Sequence, residues 1–157
     1  MPVGTLGMRP TECNGLIQQA QELTGLCALA SGAGEQALGS LQKALAEAAP
    51  ADRARLSFAL GEAYANLSRW EQTVAAYDAV PGDAPPELRG DALYGACFAL
   101  HSLGKHDDSI ARAKAVLALQ PKHRLADQAA FAVAECQFAL QKFEPAEQGY
   151  TALAEVP

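Results

Sequence analysis

The sequence predicts an all-α protein built as a solenoid of paired helices, and two observations lead to this fold class. First, 34 alanines outnumber the 13 valines, isoleucines and threonines together; alanine is the strongest helix former, whereas β-branched residues favour strands. Second, the sequence repeats at offsets of 36 and 37 residues, which align LGEAYANLSRWEQTVAAYDAV (60–80) with ACFALHSLGKHDDSIARAKAV (96–116) and VAECQFALQKFEPAEQGYTAL (133–153). A fixed period of this length indicates stacked supersecondary units.

Each copy consists of two halves with helical spacing. In the first half of each copy, a leucine lies six positions after a small residue, and an aromatic or histidine side chain lies three positions after that leucine. In the second half of each copy, a tyrosine or alanine lies four positions after a small residue. Steps of three and four residues lie on one helical face. The residues in register are Gly61, Cys97 and Ala134; Leu67, Leu103 and Leu140; Trp70, His106 and Phe143; Thr73, Ser109 and Ala146; and Tyr77, Ala113 and Tyr150.

A fainter first copy lies at 24–45, and proline and glycine separate the helices. The segment VPGDAPPEL (80–88) and Pro121 interrupt the helical pattern, whereas Pro145 falls in the first turn of a helix, where its missing N–H costs nothing. Gly61 in mid-helix is explained if it lets the partner helix approach closely. The predicted helices lie near 16–31, 34–48, 51–67, 70–80, 86–103, 106–119, 123–141 and 143–155.

These motifs resemble the tetratricopeptide repeat (TPR) family, whose consensus is Trp-x2-Leu-Gly-x2-Tyr…Ala-x3-Phe…Pro at about 34 residues. The chain departs from it at Thr73, Ser109 and Gln137 and in its longer period. The resemblance implies a right-handed α-α superhelix over 16–157, with repeats near 16–50, 51–85, 86–121 and 122–157, after a flexible leader at 1–15. The matching residues are Leu60, Gly61, Tyr64, Trp70, Tyr77, Pro85 and Pro121.

The resemblance also implies a binding groove, because the first helix of each pair lines the concave face of such a superhelix. An exposed aromatic groove commonly receives a peptide, and the two glutamates on this face favour a basic segment. Aromatic residues are also frequent at these positions in the family without a ligand. The expected groove residues are Phe58, Glu62, Tyr94, Phe98, His101, Phe131, Glu135 and Phe138.

Composition argues against several other partners. The net charge is −6 and the 12 lysines and arginines form no basic stripe, so we expect no binding to nucleic acid. No apolar run approaches the roughly 20 residues of a membrane-spanning helix, so we expect no membrane insertion. We expect a cytoplasmic protein, with the periplasm left open if an export signal lies outside this sequence.

The sequence predicts no catalytic, cofactor or metal site. Three cysteines in alanine-rich segments, Cys27, Cys97 and Cys136, are expected to be small buried apolar residues. Cys97 and His101 are four residues apart and His106 follows in the next turn, but no carboxylate at helical spacing completes a metal site. No serine, cysteine or threonine has a histidine in a recognisable activating motif.

The sequence therefore predicts a non-catalytic scaffold of bacterial type that binds a protein or peptide partner and needs no cofactor. One alternative is an accessory repeat domain of a larger enzyme or of a cell-envelope assembly protein. Another is self-association as a homo-oligomer, because Tyr150 and Leu153 have no following helix to cover them. A solenoid needs a polar cap on its last repeat, so we expect either a fragment of a longer array or a covering molecule.

Overall fold

The computed structural model describes residues 10–119 and 122–155, with side chains from residue 15 onward. The described residues form eight helices and no strand, as predicted. The helices are α1 (Pro10–Ala30), α2 (Gly34–Ala46), α3 (Pro50–Asn66), α4 (Trp70–Asp78), α5 (Pro86–Ser102), α6 (His106–Leu117), α7 (Ala126–Ala139) and α8 (Phe143–Ala154).

Two helix starts differ from the expectation. Helix α1 begins at Pro10, within the segment predicted as a leader, and residues 1–9 lie outside the described residues. Proline suits the first position of a helix, and α3 and α5 also begin at one, Pro50 and Pro86. Helix α7 begins at Ala126 and not at 123, because the ring of His123 packs against Gly90 and bonds the Glu87 carbonyl oxygen at 3.0 Å.

The four turns inside the helix pairs are closed in the same way. Each contains one residue in the left-handed conformation, at a φ between 55° and 77°. The following backbone N–H then donates to the carbonyl five residues earlier, as Arg69 does to Tyr64 at 2.9 Å, which is the helix C-terminal closure known as the Schellman motif. The left-handed residues are Gly32, Ser68, Gly104 and Gln141; their spacing of 36, 36 and 37 residues repeats the period of the sequence.

The arrangement of helices makes the molecule a curved solenoid. Consecutive helices pack against each other along the whole chain, and the first helices of neighbouring pairs also touch: α1 with α3, α3 with α5, and α5 with α7. In the described part of the chain the second helices α2, α4, α6 and α8 do not pack against one another in this way, although the long side chain of Arg112 in α6 reaches Asp78 in α4 at 2.7 Å. The first helices therefore lie on the inner side of the curve, where a groove was expected.

The core is filled mainly by alanine, with one large ring at its centre. Tyr77 of α4 is 5% exposed and lies between two glycines. A Cβ added to Gly61 of α3 would be 2.5 Å from its Cδ1, and one added to Gly95 of α5 would be 2.5 Å from its Cε2. Gly61 thus makes room for one particular side chain, Tyr77 of the partner helix. The sequence had suggested only that Gly61 lets the partner helix as a whole approach closely.

Exposed ion pairs join neighbouring repeats. Arg69 contacts Glu35 at 2.5 Å and Lys142 contacts Asp107 at 3.2 Å. In each pair, the acidic residue lies in the first turn of the second helix of one repeat, and the basic residue immediately precedes the second helix of the following repeat. Exposed pairs of this kind contribute at most about 1 kcal/mol each, so the packing around Tyr77 and the alanines dominates stability. No described helix has the length and hydropathy needed to cross a membrane.

Candidate functional site

A pocket opens on the inner face between α5 and α7. Its volume is about 230 Å³, which is below the roughly 300–1,000 Å³ of pockets that enclose a whole small molecule. Five of the eight residues expected in the groove line it. The lining residues are Tyr94, Cys97, Phe98, His101, Gln128, Phe131, Ala132 and Glu135.

Phe98 and Phe131 form the apolar walls of this pocket. They are 55% and 51% exposed, yet neither ring stands alone. Phe98 meets Trp70 edge-on with ring centroids 5.8 Å apart, and Phe131 is tilted against Tyr150 at 5.7 Å. Because each ring is held by a neighbour from another helix, the pocket walls are already oriented, which reduces the entropy lost when a ligand binds.

Glu135 supplies the acidic group at the rim of the pocket. The Tyr150 hydroxyl donates a short hydrogen bond to its carboxylate. This bond, together with burial and the negative charge of Glu135, raises the pKa of Tyr150 to about 12. The carboxylate is therefore held in one place beside an apolar pocket, where it can receive a cationic group.

The three remaining expected residues lie elsewhere. Phe138 is 57% exposed and meets Phe143 edge-on at 5.6 Å, beyond the pocket in the last repeat. Phe58 is half-buried against the ring of Tyr77 at 5.5 Å. Glu62 accepts a hydrogen bond from the Tyr77 hydroxyl at 2.5 Å. The structure thus separates Phe58 and Glu62 from the pocket, and their part in binding stays a prediction.

The bond between Glu62 and Tyr77 corrects one interpretation of the sequence. Glu62 was expected on the groove face, free to receive a basic segment, but its carboxylate accepts the hydrogen bond of the Tyr77 hydroxyl. Burial and the contact with Glu62 both raise the pKa of Tyr77. Glu135 and Tyr150 repeat this arrangement two copies later, at the same separation of 15 residues.

A second cluster lies below the pocket, around Ser109 of α6. Its hydroxyl donates to the Cys97 carbonyl at 2.8 Å and lies 3.3 Å and 3.4 Å from the sulfurs of Cys97 and Cys136. Both cysteines are buried, as expected, whereas Cys27 is exposed, contrary to the expectation. In this cluster Nδ1 of His101 is 3.4 Å from the Cys136 sulfur.

The pairing of His101 with Cys136 was not visible in the sequence, because the two residues are 35 positions apart and on different repeats. Such a pair raises the question of a catalytic thiol. Cys136 is 0% exposed, and burial raises its pKa, whereas a nucleophilic cysteine needs access and a lowered pKa. The geometry does not support nucleophilic catalysis at this pair.

Gln128, Ala132 and Cys136 are the site residues that sequence reasoning missed. Gln128 and Ala132 follow from the helical spacing around Phe131. Cys136 carried a signal, since it stands where the second and third copies have Ala63 and Ala99. A change from alanine to cysteine at a position expected to be buried could have singled it out.

Comparisons with known proteins support the fold. No protein-family model matches the chain, and no curated protein sequence matches it. Solved structures titled MamA AMB-1 and MamA MSR-1 are similar, with TM-scores of 0.75 and 0.74 and 20% sequence identity. These matches cover 88% of this chain and 72% and 75% of the other chains. A structure titled MamA D159K mutant 1 is similar over 92% of this chain, with 17% identity and a TM-score of 0.61. At this identity the likeness shows a shared fold, an all-helical repeat solenoid.

Proposed function

We propose that this protein is a non-catalytic interaction scaffold of the tetratricopeptide repeat type that holds an extended protein segment in its inner groove. The observation that carries the proposal is the pocket between α5 and α7, with two exposed rings as walls and one fixed carboxylate at its rim. The pocket is too small for a whole cofactor, but it accommodates one or two apolar side chains. The rest of such a ligand would lie along the groove.

The chemistry of the groove favours a segment with an apolar or aromatic residue next to a lysine or arginine. Phe98 and Phe131 would contact the apolar residue, and Glu135 would pair with the cationic one. Phe138 lies on the same helix as Phe131 and Glu135, so a segment that runs along α7 would reach it as well. Solenoids commonly bind extended segments on their inner surface.

A second candidate is self-association through the last repeat. Phe143 is 57% exposed, and an open concave surface on α8 is lined by Phe138, Phe143, Ala146, Glu147, Tyr150 and Thr151. Tyr150 and Leu153, which were expected to be uncovered, are each half-buried, so Phe138 and Phe143 are the residues that would drive it. Sedimentation of the Phe143→Ser variant tests this candidate: a monomer–oligomer equilibrium that this change leaves intact would argue against it.

The groove is tested by selecting binders from a library of displayed random peptides and measuring their affinity by fluorescence polarisation. Selected peptides should pair an apolar residue with lysine or arginine. Phe98→Ala and Phe131→Ala should each weaken binding by at least about tenfold, since buried aromatic contacts at interfaces are often worth 2 kcal/mol or more. Glu135→Gln should reduce the preference for the basic residue.

A matched control is Leu117→Ala, which removes an apolar side chain 41% exposed on α6, outside the groove. It should leave peptide affinity unchanged. If both phenylalanine variants bind the selected peptides as tightly as the unmodified protein, the groove is not the binding site.

A further inference from the structure

We propose that His101, His106 and Cys136 form a binding site for a borderline-soft transition-metal ion such as Zn²⁺. The three residues come from the end of α5, the first position of α6 and the middle of α7. One ligand atom from each lies within 4.8 Å of the other two. This proposal departs from the sequence-based prediction of no metal site, which considered Cys97 as the thiol beside the two histidines and found no carboxylate to complete the site.

One of the three ligand–ligand distances already matches that around a tetrahedral metal ion, and the other two are at most 4.8 Å. Bond lengths of about 2.3 Å for Zn–S and about 2.05 Å for Zn–N place sulfur and nitrogen ligands about 3.5 Å apart, and two nitrogens about 3.3 Å apart. Nδ1 of His101 and Sγ of Cys136 are 3.4 Å apart. Small changes in the side-chain torsions of His106 would bring the third ligand into the same sphere.

The other repeats show that packing does not require the metal-binding side chains of this cluster. The rings of His101 and His106 meet edge-on with centroids 5.1 Å apart, and the aligned pair in the next repeat, Phe138 and Phe143, meets in the same way at 5.6 Å. Two phenylalanines therefore satisfy this contact. Cys136 in turn stands where the second and third copies carry Ala63 and Ala99, so packing at this position does not require a thiol either.

The hydrogen bonding of His106 adds an independent observation. Its Nδ1 is buried and has no hydrogen-bond partner among the described residues. A buried imidazole nitrogen without a partner loses its hydration without compensation. Coordination to an ion would supply the missing interaction.

The donor set indicates which ion fits and how it enters. Two imidazoles and a thiolate suit Zn²⁺, whereas Mg²⁺ and Ca²⁺ prefer oxygen ligands. His101 is exposed and lines the groove pocket, so an ion can enter from that side, and solvent can occupy the fourth position. Binding replaces the proton on the Cys136 sulfur with the metal and releases it to solvent, so metal affinity should rise with pH.

The test uses the full chain, freed of metal with a chelator. Zn²⁺ is titrated in competition with a chromophoric chelator, and Co²⁺ is titrated separately, because a thiolate bound to Co²⁺ absorbs in the near ultraviolet. We expect one ion per chain and a thiolate absorption band. Loss of a group that only orients a ligand costs about 10–100-fold in affinity, so His106→Phe and Cys136→Ala should each weaken Zn²⁺ binding by at least that factor.

Both variants place a residue that an aligned repeat already carries, so the fold should tolerate them, and circular dichroism verifies this. Cys27→Ser is the matched control, because Cys27 is exposed and outside the cluster; it should bind Zn²⁺ normally. The third histidine of the chain, His123, is buried and bonded to the Glu87 carbonyl, so it should contribute little background. Absence of stoichiometric binding, or equal affinity in Cys136→Ala and Cys27→Ser, would overturn the proposal.

Discussion

Replacing Gly61 by alanine should destabilise the protein, although alanine is the better helix former. In α3 the new methyl group would lie 2.5 Å from Cδ1 of Tyr77, about 1 Å inside the normal separation of two carbon atoms. The ring cannot move away, because Gly95 is equally close on its other side. Overpacking of this kind costs about 1–3 kcal/mol, and the constraint from both sides places the expected cost at about 2–3 kcal/mol.

A control at Gly39 separates this steric cost from helix propensity. Gly39 lies inside α2, and a Cβ added there meets nothing within 4 Å. Gly39→Ala should therefore stabilise the protein by about 0.8–1 kcal/mol. Because Gly61→Ala gains the same stabilisation from helix propensity, it should lower the free energy of unfolding by a net amount of about 1–2 kcal/mol. The difference between the two variants measures the clash with Tyr77.

Urea unfolding followed by circular dichroism gives both free energies. The assignment of the clash to Tyr77 is tested by repeating Gly61→Ala in a Tyr77→Ala background, where the methyl group has room. Alanine already occupies the aligned position in the third repeat, Ala113. In that background Gly61→Ala should become stabilising, with a coupling energy of about 2–3 kcal/mol between the two sites. Equal stabilisation by Gly61→Ala and Gly39→Ala in the unmodified chain would refute the reasoning.

Two further predictions concern the last repeat. The Tyr150 pKa is raised from 10.0 to about 12, chiefly by its hydrogen bond to Glu135; the stability it confers is therefore fully present below pH 10 and lost as pH rises through about 12. In an ultraviolet titration Glu135→Ala should move this ionisation toward 10, and an unchanged titration would contradict the assignment. Gln141 has a φ of 59°, so Gln141→Gly should raise stability by about 0.5–1 kcal/mol. Gln148→Gly, inside α8, should lower it by about 1 kcal/mol; equal losses would show that the turn is unstrained.

The repeat pattern was sufficient to predict the eight helices, because periodicity, proline and glycine all act locally. Gly104 falls between the helices predicted near 86–103 and 106–119, as a glycine suits, and its φ is 72°. Ser68 and Gln141 adopt the same left-handed conformation with no local signal. Their conformation follows from the packing of the helices on both sides, which fixes the closure of the turn whatever residue occupies it.

The groove was predictable in part, since register places side chains on a face but does not show which neighbours they meet. Tyr94, Phe98 and Phe131 were assigned to the inner face by register, and they line the pocket. Phe58 has the same register and meets Tyr77 much as Phe131 meets Tyr150, yet Phe58 is half-buried whereas Phe131 is 51% exposed. Register alone therefore does not decide whether an aromatic residue on this face is available to a ligand.

The pocket arises where two positions of the repeat change together. The second and fourth repeats carry a glutamate and a tyrosine that bond each other, Glu62 with Tyr77 and Glu135 with Tyr150. The third repeat changes both positions together, to Phe98 and Ala113. With no tyrosine hydroxyl to donate a hydrogen bond, a glutamate would have no structural partner here, and the phenylalanine is left 55% exposed at the pocket.

The same change also bears on the buried cluster around Ser109. Where the second repeat has Gly61 against the Tyr77 ring, the third has Cys97 packed with Ala113, and the sulfurs of Cys97 and Cys136 both lie within hydrogen-bond distance of the Ser109 hydroxyl. In the second repeat the single ring of Tyr77, between Gly61 and Gly95, fills this position. The third repeat instead combines an exposed ring, two histidines and Cys97 at positions where other copies carry structural residues, and Cys136 of the fourth repeat lies beside His101. Local departures from an otherwise consistent pattern are expected at functional sites, and here they coincide with both the pocket and the proposed metal ligands.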